Sequence, residues 1–222
     1  MQPQILELID KQDTFEIIRD QIAAILVLES ANQQTLASIA GKNPNDWKLN
    51  IYLERSNPWD RWIDVDSQTE RTPIVNVWFD TDSFPTNAGN IKARQKCIAT
   101  YNIDCYGLGF SSDEGLGHKA GDKDAAFEVQ RAMRLVRNIL MSAQYTSLGL
   151  RGIAWDRWIQ SRSSFQPVLG DRPVQNIHGG RIVFSVSFNE FSFEYQGEDL
   201  ELISAKIKRS PTDELFLRAE YP

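Results

Sequence analysis

Both cysteines of the chain fall in CIATYNIDCYG, residues 97–107, with seven residues between them. Such a pair could form a disulfide, supply half of a metal site, cycle electrons, or simply fill space. The segment reads as a strand, and alternation then puts Cys97, Ala99, Tyr101, Ile103 and Cys105 on one face. At about 3.3 Å per residue the two cysteines stand roughly 26 Å apart. A disulfide needs Cα atoms within about 7 Å. A zinc half-site places its ligands about two to four residues apart and needs partners that the sequence does not offer. Buried, inert thiols are therefore expected, with no metal and no cofactor.

The stretch GLGFSSDEGLGHKAGDKD, residues 107–124, lies between a strand signal and a helix signal, as phosphate-binding loops do. A dinucleotide fingerprint would need glycine where Ser112 stands, and a Walker loop would not place Asp122 directly after Gly121. Asp113, Glu114, Asp122 and Asp124 would also repel a phosphate. His118 sits among these acids, but their order does not follow a calcium loop. His178, in IHGGRIV, resembles the run that builds esterase oxyanion holes, yet no G-x-S-x-G elbow accompanies it. It reads instead as a turn leading into a strand at 181. With only two histidines and no motif pairing either with a nucleophile, no enzyme activity is expected.

WDRWI occurs twice, at 59–63 and 155–159, with unrelated flanks, so the chain is not a duplication. Each copy sets two tryptophans three apart around Asp and Arg. Trp59, Arg61 and Trp62, with Trp155, Arg157 and Trp158, are candidate interface anchors, because Trp and Arg are enriched at hot spots. The competing and favoured reading is that the tryptophans pin two excursions onto the core. Arg131, Arg134 and Arg137 form a basic strip on a helix face. That strip is either solvated, with partial links to Glu128, or it meets acidic residues such as Asp113 and Glu114 of a neighbouring subunit.

The elements that would hold these residues are legible by periodicity. Residues 13–29 read as a helix, with Asp13 and Glu16 as a capping-box variant and Phe15, Ile18, Ile22, Ile25 and Leu26 at helical spacing. IVNVWF, 74–79, and a strand from about Lys92 to Gly107 read as an antiparallel hairpin with a loop of about ten residues. DAAFEVQRAMRLVRNILMSA is an amphipathic helix, with Asp122 and Asp124 early and arginines late, as the helix dipole prefers. RIVFSVSFNEFSFEY, 181–195, is a strand whose apolar phase slips at Asn189–Glu190, which predicts a bulge, bend or turn there. The tail is expected to add one more strand and an exposed end. Residues 31–72, with a short strand around Leu49, Ile51 and Leu53, and residues 145–180 read as irregular excursions.

This order predicts one α+β domain over residues 1–222, its mostly antiparallel sheet packed by an N-terminal and a long central helix. A chain of 222 residues that is 41% hydrophobic and 10% aromatic can bury a sizeable core. The formal charge of −6, from 30 acids against 24 bases, disfavours a broad nucleic-acid grip but suits a channel that lets DNA slide. MQPQILELIDKQ has no signal-peptide pattern, and the apolar run Ile22 to Leu28 is short of the roughly 20 residues of a membrane span. A soluble, cytosol-made protein is expected.

Taken in order, DTFEIIRDQIAAIL, the strand pair with IVNVWF and ARQKCIATYNIDCYG, DKDAAFEVQRAMRLVRNILMSA and the late strands resemble the tail terminator (tail-completion) proteins of long-tailed bacteriophages. The resemblance covers about 15–29, 73–143 and 181–208, and rests on layout; the two excursions exceed a minimal member. It implies a homo-hexameric ring on the last ring of tail tube protein, halting tube growth and presenting a surface to neck, connector or sheath proteins. DNA would pass through the lumen without specific binding, at the tail–neck junction of a virion assembled in the host cytoplasm. The alternatives are another head–tail connector or neck subunit and, from a different class, a small-molecule binder or hydrolase with an unfamiliar site.

Overall fold

The computed structural model describes residues 8–62, 72–85, 94–110, 121–169, 172–173, 176–191, 203–209 and 214–221. Helix α1 spans Thr14–Ile39 and α2 spans Gly121–Leu140; the strands are β1 Asn50–Leu53, β2 Ile74–Ser83, β3 Arg94–Leu108, β4 Ala154–Phe165, β5 Val168–Leu169, β6 Arg172–Pro173, β7 Ile177–Phe191, β8 Ile203–Arg209 and β9 Glu214–Tyr221. Five of them form one sheet in the order β1-β2-β3-β7-β4. The fold is α+β as expected, but the sheet is mixed: β1 runs parallel to β2, and the other three ladders are antiparallel.

Alternation along the strands sorts the sheet into two unlike faces. Val75 and Val77, the odd residues of β3 from Cys97 to Cys105, and Ile182, Phe184, Val186 and Phe188 of β7 all join one core with α1 and α2. Helix α1 lies over β1 and β2, and α2 over β3 and β7. Glycines set how closely α2 can lie. A methyl group at Gly107 would come within 2.6 Å of the Ala125 carbonyl oxygen, and one at Gly180 within 2.6 Å of Val129 Cγ1. The first turns of α2 thus rest almost directly on strand backbone.

Helix α1 begins where the sequence places it: the Asp13 N–H donates to the Glu16 carboxylate at 2.9 Å. It then runs ten residues beyond the expected end, to Ile39. Ala31–Ile39 has no Gly or Pro to break the helix and includes Ala, Leu and Gln, and Ser30 holds the chain from inside the turn. Its hydroxyl donates to the Trp47 carbonyl at 3.0 Å and accepts from the Leu49 N–H at 3.1 Å. The stop comes at Gly41, at φ 67°, where the Lys42 N–H returns to the Ala37 carbonyl at 2.8 Å.

Five further expectations change. The 31–72 excursion holds the rest of α1, two short 3-10 turns (Pro44–Trp47 and Asp60–Trp62) and β1. The 145–180 excursion is largely strand, because β4 lies within it and β7 starts at Ile177. His178 therefore sits inside a strand opposite Gly107, not in a turn. The expected break at Asn189–Glu190 is absent from the β3–β7 ladder, whose register is continuous through Phe191; the later half of the slip lies outside the described residues. Finally, the tail contributes two strands, β8 and β9, paired with each other in a separate sheet.

The two cysteines are free and buried in the helix-facing core, as the alternation predicts. Burial pushes the Cys97 thiol up to about 12, with the Asp82 and Glu190 charges adding to it. It pushes Cys105 higher still, aided by Asp104. A folded value above the unfolded one contributes stability that is complete below the ordinary thiol value, about 8.5, and is lost as pH rises through the folded value. Stability should fall from near pH 8.5 upward, by at most about 1.4 kcal/mol per pH unit for each thiol. Urea midpoints measured from about pH 7 to 10, below the range where the raised Tyr101, Tyr106 and Tyr145 add a similar decline, should show this fall, and Cys97→Ala with Cys105→Ala should flatten it.

Candidate interaction surface

No helix among the described residues is long and apolar enough to cross a membrane, and no group of three His, Cys, Asp or Glu side chains there could hold a metal. What the molecule does present is unfinished surface. Helix α1 is apolar on two sides. Ile18, Ile22, Ile25 and Leu26 face the core, while Ala24, Val27, Leu28, Ala31 and Ile39 are exposed, Leu28 at 63% and Ile39 at 78%. At about 100° per residue these outward residues fall on one stripe. A surface helix ordinarily carries polar residues there.

At the far side of the sheet, β4 is an edge strand 12 residues long. Its ladder to β7 slips twice, between Ala154 and Asp156 and between Ile159 and Ser161. These bulges twist the strand, as edge strands do to limit indiscriminate pairing. Past Ser161 the register is regular again through Phe165. The other edge, β1, is only four residues long.

The two copies of WDRWI meet different fates. Trp59 and Trp62 are buried at 3% exposure each and pack with Ile74, Tyr106, Leu108 and Ile177 at one end of the sheet's helix-free face. Arg61 lies between them in the 3-10 turn Asp60–Trp62. This copy pins its segment to the core. In the second copy Trp155 sits at a β4 bulge and is 45% exposed, while Trp158 is half-buried. Arg157 turns inward and donates to three carbonyls: Leu140 at 2.6 Å, Ser142 at 2.6 Å and Thr146 at 2.9 Å. It closes the C-terminus of α2, where unpaired carbonyls accumulate.

Of the basic strip, Arg131 is paired with Glu128 and lies 3.3 Å from Asp46. Arg134 is exposed and has no ion pair among the described residues. Both line a groove of about 640 Å³ between α1 and α2, floored by Trp47 and Ile139. Across it the Tyr145 hydroxyl donates to Glu29 at 2.5 Å, which holds Glu29 below its usual range and pushes Tyr145 up to about 12. Asp113 and Glu114 lie outside the described residues.

A cluster that the sequence did not reveal occupies the helix-free face. Asp104, 2% exposed, accepts from Arg181 Nε at 2.7 Å and Nη2 at 2.8 Å, and from the Trp78 indole N–H at 3.0 Å. The Tyr106 hydroxyl lies 3.5 Å away. The guanidinium stacks over the Trp78 ring at 4.8 Å, and its hydrogen bonds to Asp104 raise its already high pKa. Asn76 exchanges hydrogen bonds with the Arg55 backbone beside it. With both carboxylate oxygens accepting at short range, Asp104 is committed to structure and is poorly placed to act as a base. No protein-family model and no curated protein matches the chain.

Proposed function

We propose that this protein is a structural subunit that works by self-association, and that its role is that of a phage tail terminator. A homo-hexameric ring of it would cap the tail tube and join it to the neck. The observation that carries this reading is the presence of two unlike adhesive surfaces on opposite sides of one subunit. An exposed apolar stripe runs along α1, which lies over β1 and β2. A long free edge runs along β4, at the other end of the strand order. A patch that must meet a different patch on the next copy gives head-to-tail contacts, and such contacts close into a ring when the rotation from copy to copy divides a full turn. An edge strand adds backbone pairing to that joint. The net charge of −6 suits a lumen through which DNA moves without being held.

The reading is tested by the mass of the purified protein in solution and by electron microscopy. A ring of about six copies is expected, and particles lacking the protein should carry overlong or ragged tails without heads. A monomer at high micromolar concentration, with normal tails in its absence, would refute the role.

A further inference from the structure

We infer that the cleft between α2 and the edge strand β4 is a receptor for carboxylate side chains of a second copy of this chain. This rests on the self-association reading and names where one half of that contact lies. The cleft encloses about 570 Å³. Arg134 and Gln130 line it from α2, Arg162, Ser163 and Ser164 from β4, and His178 from β7.

The register explains why these side chains converge. Arg162 stands opposite Ile182, and Ser164 opposite Gly180. Ile182 belongs to the helix-facing core, and Gly180 touches Val129 and Met133 of α2. Arg162 and Ser164 therefore rise on the same side of the sheet as α2, beyond its flank, and Arg134 meets them from above. His178, opposite Gly107, rises on that side as well. No ion pair joins Arg134 or Arg162 to a carboxylate among the described residues, and no described acid lines the cleft.

Two guanidiniums, the Ser164 hydroxyl and an imidazole make a site for anions, because forked N–H donors match carboxylate geometry. The choice of anion follows from charge and position. A chain with 30 acids against 24 bases repels an extended polyanion but supplies carboxylates in abundance to another copy of itself. The cleft also opens beside the regular stretch of β4 from Ser161 to Phe165, so an incoming extended segment can pair with the strand and present acids to the arginines.

The test compares the wild-type chain with Arg134→Glu/Arg162→Glu and Arg134→Lys/Arg162→Lys, by analytical ultracentrifugation at about 50 mM and about 500 mM salt. Wild type is expected to assemble more weakly at high salt, the glutamate pair to lose assembly by at least about tenfold in concentration, and the lysine pair to retain much of it. Circular dichroism of each variant as a monomer controls for folding. If wild type assembles and the glutamate pair assembles equally well, the cleft is not the receptor while the ring reading stands. If wild type itself stays monomeric, both fall. Tight binding of inorganic pyrophosphate by a chain whose assembly ignores salt would overturn the proposal in favour of a phosphate ligand.

Discussion

Arg181→Met is expected to lower the unfolding free energy by about 3–5 kcal/mol, because it leaves a buried carboxylate without its counter-charge. Asp104 is 2% exposed and its two oxygens take both arms of the Arg181 fork. Methionine keeps much of the apolar stem but offers no donor, so only the Trp78 N–H and the distant Tyr106 hydroxyl would remain. The Arg181 side chain is 35% exposed. Water can therefore reach the vacated end, and the loss should lie toward the lower limit. Adding Asp104→Asn to Arg181→Met should restore part of it, since a neutral amide is far cheaper to bury than a lone charge. Urea unfolding of the two single variants and the double variant gives the coupling directly. A loss below about 1 kcal/mol for the single arginine variant would show that the pair is no more than a surface link.

Arg157→Ala is the second large effect, and it acts at a distance from the strand that carries it. One side chain serves three carbonyls at the end of α2 and in the turn beyond. Charge-assisted hydrogen bonds contribute about 1.5–3 kcal/mol each, and the three share one donor group, so a total of about 2–4 kcal/mol is expected. The Arg157 side chain is half-buried, and this burial lowers its pKa against the pull of Asp156. Arg157→Lys should lose less than the alanine variant but recover under about half of the difference, because one ammonium cannot reproduce the planar fork. Hydrogen exchange should speed up most in residues 141–148, where the turn loses its anchor. Uniform acceleration would instead mean a global loss and no local cap.

The parts legible in the sequence are those whose apolar pattern is one-sided. Helix α2 has a single apolar stripe through Val129, Ala132, Val136 and Ile139, and the structure buries those residues. The alternation of β3 from Cys97 to Cys105 likewise maps onto one face. The parts that escaped break that one-sidedness. The second half of α1 carries Leu28 and Ile39 outward among Asn32, Gln33 and Gln34, so no clean stripe marks it. In β4 the bulges at Trp155 and Gln160 reset the alternation twice within 12 residues, and an edge strand has little buried face to advertise. The Asp104–Arg181 pair spans 77 residues and exists only through the β3–β7 register, which no local pattern encodes. The inward turn of Arg157 was hidden similarly: WDRWI reads alike in both copies, and tertiary context alone separates them.

The strand order also fixes when the molecule can become whole. The two longest strands, β3 and β7, are neighbours at the centre of the sheet, yet roughly seventy residues of chain come between them. During synthesis β3 must wait, apolar side already formed, until the ribosome has delivered residues 177–191. Non-local pairing of this kind slows folding and leaves an aggregation-prone interval, so the level of chaperone at hand should govern the yield of assembled subunit.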